Sequence, residues 1–354
     1  MLSRHYACRV SDRLRLANQR LLVMENELLR VTLLLDKGAD IVELRYKPRD
    51  LDFLWHSPNP LFWGSWERES APAPAGPFPD YYEGCWQEVL PNAGRACEWG
   101  GAPLGQHGEV WALPWDCKIL EDDPGMVWVE LTVRCRRMPL SLTRRMILRA
   151  GVPALFLDEE LHNDSPVDLA VMWGHHPAYG EPFLGPACRI DAPDCQVLVD
   201  PHVGPRSRFD PSRRFTWPES VTTDGARVDI SRIAAREEGV DEMYYLTDLS
   251  APWYALVNED MGLTCALAWG GSAFKCVWYW ASLGGDLSWP SWGRYYTVAL
   301  EPMSSWPAIL TNAIEKGTEL RLEAGETVEE RLTVVVSEKA SPVRDVSIGA
   351  EVTQ

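Results

Sequence analysis

The chain has 354 residues, 24% charged and 46% hydrophobic, and its 51 acidic and 34 basic side chains give a formal net charge of −17. This composition excludes a disordered chain, and a charge of this sign without a basic stripe excludes a nucleic-acid partner. The length permits one large β domain or two smaller ones, but no shift in composition and no internal repeat divides the chain. We expect one domain over residues 1–354, with its core at about 21–337 and a C-terminal tail at 338–354.

Cysteines and apolar runs bear on location. The nine cysteines form no Cys-x-x-Cys pair, so neither a zinc knuckle nor a disulfide framework is indicated, and free thiols in this number suit a reducing cytosol. The segment Met1–Asn18 is rich in arginine and lacks the apolar core of a signal peptide. No run reaches the ~20 apolar residues that span a bilayer. We therefore expect a cytoplasmic protein without a membrane partner, either a monomer or a homodimer.

The strongest periodicity in the sequence is two, which is typical of half-buried β-strands. In chain order, Leu28–Leu35 and Ile41–Tyr46 flank a glycine turn at 36–40 and predict an antiparallel hairpin. Alternation is clearest over Val127–Val133, and Val328–Val336 ends in a β-branched run. Further strands are predicted at Leu142–Leu148, Ala154–His162, Leu169–Trp173, Trp253–Asn258, Leu263–Trp269, Phe274–Trp280 and Tyr295–Leu300.

Helical patterns are short and few, and Ser231–Glu238 is the best of them. Many strands separated by turn signals predict an all-β protein built as a large antiparallel β-sandwich. Two aromatic-rich segments with proline and glycine, Ser57–Tyr82 and Ser282–Arg294, interrupt the strand pattern. Long loops on compact domains are usually functional, so we expect both to be lids or walls of a site.

The chain contains 17 tryptophans, more than a core of this size ordinarily needs. Each indole is bulky, and its N–H requires a partner when it is buried. Sugar-binding clefts use tryptophan because the indole face stacks on the C–H face of a pyranose. The sequence leaves a core role and a stacking role open for each candidate, which are Trp86, Trp111, Trp173 and Trp278.

Polar and aromatic residues are concentrated in four short segments, namely Gly84–Arg95, Gly105–Trp111, Trp173–Tyr179 and Val298–Met303. Taken singly, each segment is weak evidence for a functional site, since a lone histidine is more often structural than catalytic. The adjacent His175 and His176 could suggest a metal, but neighbours on a strand point to opposite faces of the sheet. No companion ligand spacing supports a metal, so we expect none.

Together and in this order, the segments resemble the aldose 1-epimerase (galactose mutarotase) family over about Leu21–Val336. Gln106-His107-Gly108 resembles the family's first essential histidine element. His175-His176-Pro177-Ala178-Tyr179 resembles the second. Leu300-Glu301-Pro302 is similar to the terminal Leu-Glu-Pro, in which the glutamate is the base. These three elements are the most specific part of the resemblance.

Other segments fit the same family less specifically. Leu28–Tyr46 looks like its first hairpin, and Pro91–Arg95 is similar to the segment with a substrate-binding arginine. Gly239-Val240-Asp241 resembles a Gly-x-Asp that supplies a substrate-binding aspartate. Departures also occur, because a histidine stands where asparagine is usual and an extra residue precedes Tyr179. Either His175 or His176 could therefore be the functional one.

The resemblance implies a mutarotase that interconverts the α and β anomers of an aldose without a cofactor. A base removes the C1 hydroxyl proton while an acid protonates the ring oxygen, and carboxylate and imidazole suit these roles. We expect Glu301 as base, His176 as acid and His107 as a hydrogen-bonding partner near the reacting oxygens. The expected sugar-binding residues are Arg95, Asp241, His175, Tyr179, Trp86, Trp111, Trp173 and Trp278.

Three alternatives remain open at this stage. The first is an epimerase of a modified sugar such as a phosphosugar, uronate or sulfonated sugar, for which Arg95 and the arginines at 206, 208, 213 and 214 are candidate anion ligands. That arginine group is interpreted first as a solvated loop. The second is a polysaccharide lyase-like enzyme that pairs Tyr179 with His176. The third is a non-catalytic carbohydrate-binding protein.

Overall fold

The computed structural model describes residues 7–16, 18–58, 78–202 and 207–354. About 51% of the chain is strand and 6% helix, so the protein is all-β, as the period-two pattern predicts. The helices are α1 (Phe78–Tyr81) and α2 (Leu310–Lys316), and single 3-10 turns lie at Lys47–Arg49, Val110–Ala112 and Arg236–Glu238. The strands are β1 (Arg9–Leu16), β2 (Gln19–Glu25), β3 (Leu29–Leu34), β4 (Asp40–Tyr46), β5 (Leu51–Asp52), β6 (Trp86–Val89), β7 (Cys97–Trp99), β8 (Ala102–Leu104), β9 (Asp116–Asp122), β10 (Met126–Arg134), β11 (Leu140–Arg149), β12 (Ala154–Asn163), β13 (Leu169–Val171), β14 (Gly174–Gly180), β15 (Cys188–Asp191), β16 (Gln196–Val199), β17 (Arg214–Thr216), β18 (Glu219–Val221), β19 (Arg227–Asp229), β20 (Val240–Thr247), β21 (Trp253–Asn258), β22 (Leu263–Trp269), β23 (Cys276–Leu283), β24 (Tyr296–Met303), β25 (Leu320–Leu322), β26 (Thr327–Ser337), β27 (Asp345–Val346) and β28 (Val352–Thr353).

Two large antiparallel sheets form the sandwich. The larger has 14 strands in the order β1-β2-β3-β4-β6-β14-β24-β23-β20-β16-β17-β18-β19, with β5 paired to β4. The smaller has eight strands in the order β15-β21-β22-β26-β12-β11-β10-β9. Short pairs β7–β8, β13–β25 and β27–β28 complete the fold.

The main core lies between the two sheets. On β10, Val127, Val129 and Leu131 are buried while the residues between them are half-buried, so alternation places one face of the strand in the core. Leu300 of β24 belongs to the same core from the other sheet. The β3–β4 hairpin forms as predicted, with Gly38 at φ +67°; a Cβ there would come within 2.6 Å of the Trp111 carbonyl oxygen. That turn therefore packs directly against the Trp111 backbone.

The helix expected at Ser231–Glu238 is wrong. Only Arg236–Glu238 forms a helical turn, and Gly239 ends it at φ 64°. The preceding residues pair with β15 instead, since the Ile190 N–H donates to the Ser231 carbonyl and the Ile233 N–H donates to the Cys188 carbonyl. A short helix is marginal by itself, so pairing with an existing strand decides the local structure.

The C-terminal tail packs on the sandwich. Val343 and Val346 contact a second apolar cluster with Trp253 and Val257 on the eight-stranded sheet. The Thr333 hydroxyl donates to the carbonyl of Ile348 at 2.7 Å, which fixes the tail against β26. The single-domain organisation stays a prediction, and a main core shared by both sheets supports it.

Two further findings concern membrane-crossing helices and the cysteines. Within the described ranges, no helix combines the length and apolar character required to cross a bilayer. All nine cysteines are free thiols.

Candidate active site

A cavity of ≈ 720 Å³ lies on the 14-stranded sheet, on the face turned away from the core. It is large enough for a small-molecule ligand, since such pockets are ~300–1,000 Å³. Its polar wall is formed by Arg95, Gln106, His107, His176, Asp286 and Glu301. Its aromatic wall is formed by Phe78, Tyr82, Trp278, Trp280, Trp289 and Tyr295.

Strand register brings Glu301 and His176 together at the floor of the cavity. The β14–β24 pairing runs from Gly174 opposite Met303 to Ala178 opposite Ala299, which places His176 opposite Glu301. The His176 Nε2 and Glu301 Oε1 atoms lie 3.4 Å apart, and both side chains are buried. The other carboxylate oxygen, Glu301 Oε2, is buried without a hydrogen-bond partner among the described residues.

Two further side chains surround the His176 ring. The Tyr82 hydroxyl lies 3.4 Å from Nδ1 of His176. The His107 ring centroid lies 5.2 Å from that of His176. His107 Nδ1 is 2.5 Å from the Ala93 carbonyl oxygen, to which it must donate, so its Nε2 is left as an acceptor. His107 is thus fixed in one neutral tautomer.

Arg95 is partly exposed on the cavity wall and is held by buried acceptors. Its Nη1 donates to Asp200 Oδ2 at 3.3 Å, and its backbone N–H donates to the carbonyl of Ala308 at 2.8 Å. Tyr245 also donates its hydroxyl to the Asp200 carboxylate. Asp200 is fully buried, so its charge compensates the guanidinium and fixes its direction.

Burial controls the charge states of the pair at the cavity floor. It raises the pKa of Glu301 well above its ordinary value. It lowers the pKa of His176 to about 3, and the neighbouring His107 adds to this depression. Burial also lowers the pKa of His107 to about 4. In the absence of a ligand, these directions place one proton on Glu301 and leave His176 neutral, the reverse of the charge states expected from sequence.

His175 lies on the opposite face of β14 from His176, inside the sandwich. Its Nε2 lies 2.9 Å from Glu159 Oε2, and its Nδ1 accepts a hydrogen bond from the indole of Trp86 at 3.0 Å. The expectation that His175 contacts a sugar is therefore corrected, and the choice between the two histidines falls on His176. Because adjacent residues on a strand point to opposite faces, only one of them reaches the cavity.

Three other expected sugar contacts are also core residues. Trp86 and Trp173 are buried between the sheets, and the Trp173 indole donates to Glu88 Oε1 at 2.7 Å. The hydroxyls of Tyr179 and Tyr254 lie 2.9 Å apart across the sandwich. The sugar contact expected for these residues is corrected to a packing role, since each polar atom has its partner in the core.

The three remaining expected sugar contacts, Trp278, Trp111 and Asp241, lie at different places relative to the cavity. Trp278 lines the cavity and donates its indole N–H to the Ser305 carbonyl at 2.9 Å. Trp111 lies behind the wall, with its ring perpendicular to Phe78 at 5.0 Å. Asp241 is half-buried on β20 and is not among the cavity-lining residues, although it shares a face with Met243, which is. Trp278 thus contributes to the cavity wall, whereas Trp111 packs behind it.

The model of a protein family described as "Domain of unknown function (DUF4432)" matches residues 17–336. The chain belongs to this family. No curated protein matches the sequence of this DUF4432 chain.

Solved structures show the fold of the DUF4432 chain. A provisionally assigned aldose 1-epimerase from Klebsiella pneumoniae matches with a TM-score of 0.73 at 12% identity, over 92% of this chain and 81% of that one. A galactose mutarotase-like protein from Clostridium acetobutylicum has a TM-score of 0.66 at 13% identity, over 94% and 99%. A galactose mutarotase related enzyme from Lactobacillus acidophilus has a TM-score of 0.59 at 14% identity, over 92% and 100%. The fold is galactose mutarotase-like, as the resemblance predicted.

Sequence reasoning missed several cavity residues of the DUF4432 chain. Trp280 follows Trp278 by two positions on β23 and therefore shares its face, so alternation could have found it. Tyr82 and Trp289 lie in the two segments interpreted as lids or walls, without having been singled out. Most of the first segment, 59–77, lies outside the described residues.

A buried group with metal-ligand chemistry lies behind the cavity of the DUF4432 chain. One donor atom each from Glu88, Glu159 and His175 all lie within 4.8 Å of one another. The guanidinium of Arg144 already occupies this place, with Nη2 2.6 Å from Glu88 Oε2 and Nε 3.3 Å from Glu159 Oε1. Since Arg144 supplies the positive charge that the carboxylates require, the group does not fit a metal ion.

Proposed function

We propose that this protein is a sugar mutarotase that interconverts the α and β anomers of a neutral aldose by acid–base ring opening and closure. The observation that supports this best is the state of the Glu301 carboxylate at the cavity floor. One oxygen lies 3.4 Å from His176 Nε2, and the other has no hydrogen-bond partner among the described residues. A buried polar atom left unpaired is unfavourable by about 1–3 kcal/mol, so a substrate hydroxyl, which can donate or accept, suits it as a partner.

The proton transfers balance on this pair without a covalent intermediate. Glu301 takes the proton of the C1 hydroxyl while protonated His176 gives a proton to the ring oxygen, and the C1–ring oxygen bond breaks to leave an open aldehyde. The aldehyde rotates about its C1–C2 bond. Neutral His176 then takes the proton back as the ring closes, and Glu301 returns its proton to the new C1 hydroxyl.

The electrostatics of the cavity favour the middle of this cycle. After ring opening, Glu301 is protonated and His176 is neutral. Burial raises the pKa of Glu301 and lowers that of His176 to about 3, and both shifts favour this neutral pair. The charge state that accompanies the open sugar is therefore the one that burial at the cavity floor stabilises.

Other cavity residues suit sugar binding. Neutral His107 offers Nε2 as an acceptor beside the His176 ring. Arg95 offers donors that Asp200 holds in place. The indoles of Trp278 and Trp280 offer apolar surface for the C–H face of a pyranose. We keep Asp241 as a candidate at the rim, on the face of β20 that leads to Met243.

Charge on the cavity wall favours a neutral sugar over a phosphosugar, uronate or sulfonated sugar. The cation of Arg95 is compensated by Asp200, and Asp286 adds an acidic group to the same wall. Arg208 is bound to Glu242 near a smaller pocket on the other face of the sheet. Arg206 lies outside the described residues.

The positions of the tyrosines disfavour the lyase alternative. That reaction requires a tyrosine base beside His176, but Tyr179 contacts Tyr254 in the core. Tyr82 is near His176, yet burial raises its pKa well above the ordinary value, which disfavours the phenolate. A non-catalytic binding protein would have no use for a paired carboxyl and imidazole, and the following experiment distinguishes it.

The proposed function is tested by anomer-exchange NMR on a panel of neutral sugars. Glu301→Gln keeps the size of the side chain and removes its basicity, so exchange should fall by about 10²–10⁴-fold while sugar affinity stays within a few-fold. Glu330→Gln is the matched control, because Glu330 is a buried glutamate on β26 that accepts the Ala273 N–H away from the cavity. Full exchange by Glu301→Gln on a verified substrate would contradict the mechanism. Binding without exchange by the unaltered protein would favour the binding-protein alternative.

A further inference from the structure

A loop at 284–295 connects β23 and β24 and presents an exposed indole at the cavity. Trp289 lines the cavity wall and is 42% exposed, whereas Glu301 on the floor is 2% exposed. The cavity therefore has a buried reactive end and an aromatic mouth. Because Trp289 lines the cavity, its indole offers an aromatic surface on which a ligand ring can stack.

Hydrogen bonds inside the loop hold the backbone on either side of Trp289. The Asp286 carboxylate accepts the backbone N–H of Ser288 at 3.0 Å and its hydroxyl at 2.7 Å. The Trp292 N–H donates to the Ser288 carbonyl and the Gly293 N–H donates to the Asp286 carbonyl, both at 2.7 Å. The loop that carries Trp289 is thus ordered before a ligand binds, so binding requires little further ordering. We call the exposed indole of Trp289 the second-ring platform.

The cavity is larger than one sugar ring requires. A hexose has about a dozen heavy atoms and takes roughly the space of six waters, about 180 Å³. The cavity volume of ≈ 720 Å³ is several times this value. A single pyranose would therefore leave most of the cavity volume unfilled.

We propose that the substrate is a neutral reducing oligosaccharide, the smallest being a disaccharide, whose second ring stacks on Trp289. This inference rests on the proposed function, since the reducing ring must lie at Glu301 with its C1 hydroxyl free. The second ring is then joined through another oxygen and points to the mouth. Asp286, in the same wall, offers an acceptor for its hydroxyls.

The loop itself provides a matched control. Trp292 is 62% exposed on the same loop and does not line the cavity. If the exposed indoles served a protein partner rather than a sugar, Trp292 would be the more available of the two. Trp289→Ala and Trp292→Ala therefore remove the same kind of side chain from one loop, but only Trp289→Ala removes it from the cavity wall.

The experiment measures kcat/KM for anomer exchange with glucose, galactose, maltose, cellobiose and lactose, and disaccharide binding by calorimetry. Trp289→Ala should lower kcat/KM by about 10-fold or more for at least one disaccharide, which corresponds to about 1.4 kcal/mol of transition-state binding. The loss should be several-fold larger for that disaccharide than for glucose or galactose, and Trp292→Ala should change neither class. Equal losses for single and double sugars, no loss at all, or the same loss with Trp292→Ala would overturn the proposal.

Calorimetry separates this inference from the proposed function. Disaccharide binding that depends on Trp289 without exchange by the unaltered protein would overturn the mutarotase proposal and leave the second-ring platform standing. Exchange of monosaccharides by a protein whose disaccharide binding and exchange do not depend on Trp289 would overturn the second-ring inference and leave the mutarotase proposal standing. Absence of both binding and exchange across the panel would overturn both.

Discussion

Glu301 illustrates how a residue suited to catalysis can lower the stability of the fold that holds it. Burial raises its pKa, so the folded protein keeps this carboxyl protonated at a pH where the unfolded chain ionises it. Below about pH 4.5 the carboxyl is protonated in both states and has no effect on this balance. As pH rises above that value, the folded state binds more protons than the unfolded state, and the free energy of unfolding falls.

Replacement of this residue should therefore stabilise the protein where it abolishes activity. We expect Glu301→Gln to raise Tm at pH 7 by about 2 °C for each kcal/mol regained, with a difference from the unaltered protein that shrinks to near zero towards pH 4.5. Thermal unfolding of both proteins across this range measures the effect. A lower Tm for Glu301→Gln at pH 7 would show that the carboxylate is ionised and favourably paired in the folded state.

Strands decide which aromatic residues bind and which pack. Trp86 on β6 faces the core, while Trp280 on β23 faces the cavity. Trp86→Ala should lower the free energy of unfolding by about 3–5 kcal/mol and leave the sugar affinity of the folded protein nearly unchanged. Trp280→Ala should weaken sugar binding with a smaller loss of stability. Chemical denaturation and sugar titration on both variants test this, and a reversed pattern would place Trp86 in the sugar site.

The same strands show what the sequence could and could not predict. Period-two alternation located β10, because only one face of this strand is buried. β21 and β22 are buried on both faces and were located as short apolar runs between turns. The order of the motifs was enough to bring His107, His176 and Glu301 to one cavity. It could not separate His175 from His176, since all seven residues of β14 are buried and neither face is marked by polarity. The arrangement of the two sheets supplies that information.

At the scale of the whole molecule, the balance of buried acids and histidines sets the pH of greatest stability. Burial lowers the pKa of His107 and His175 to about 4 and of His176 to about 3. It raises the pKa of Glu159 to about 8, despite the opposing charge of Arg144, and also that of Glu301. These two groups of residues act on stability in opposite pH ranges.

Between about pH 8 and 6.5, the folded state retains protons on its buried carboxyls that the unfolded chain releases, so stability should rise as pH falls. Below about pH 6.5 the unfolded chain begins to protonate histidines that stay neutral in the fold, which offsets this gain. Below about pH 4.5 the carboxyls whose pKa is raised by burial are protonated in both states, while the effect of the histidines remains. The fold lowers the pKa of Glu25 and Glu259 through their basic neighbours, which adds to this effect, so stability should fall steeply towards pH 3–4. We expect Tm at constant ionic strength to be greatest between about pH 5 and 6.5, and Glu159→Gln to flatten the slope above pH 6.5. A maximum at pH 8 or above would show that Glu159 and Glu301 are ionised in the fold.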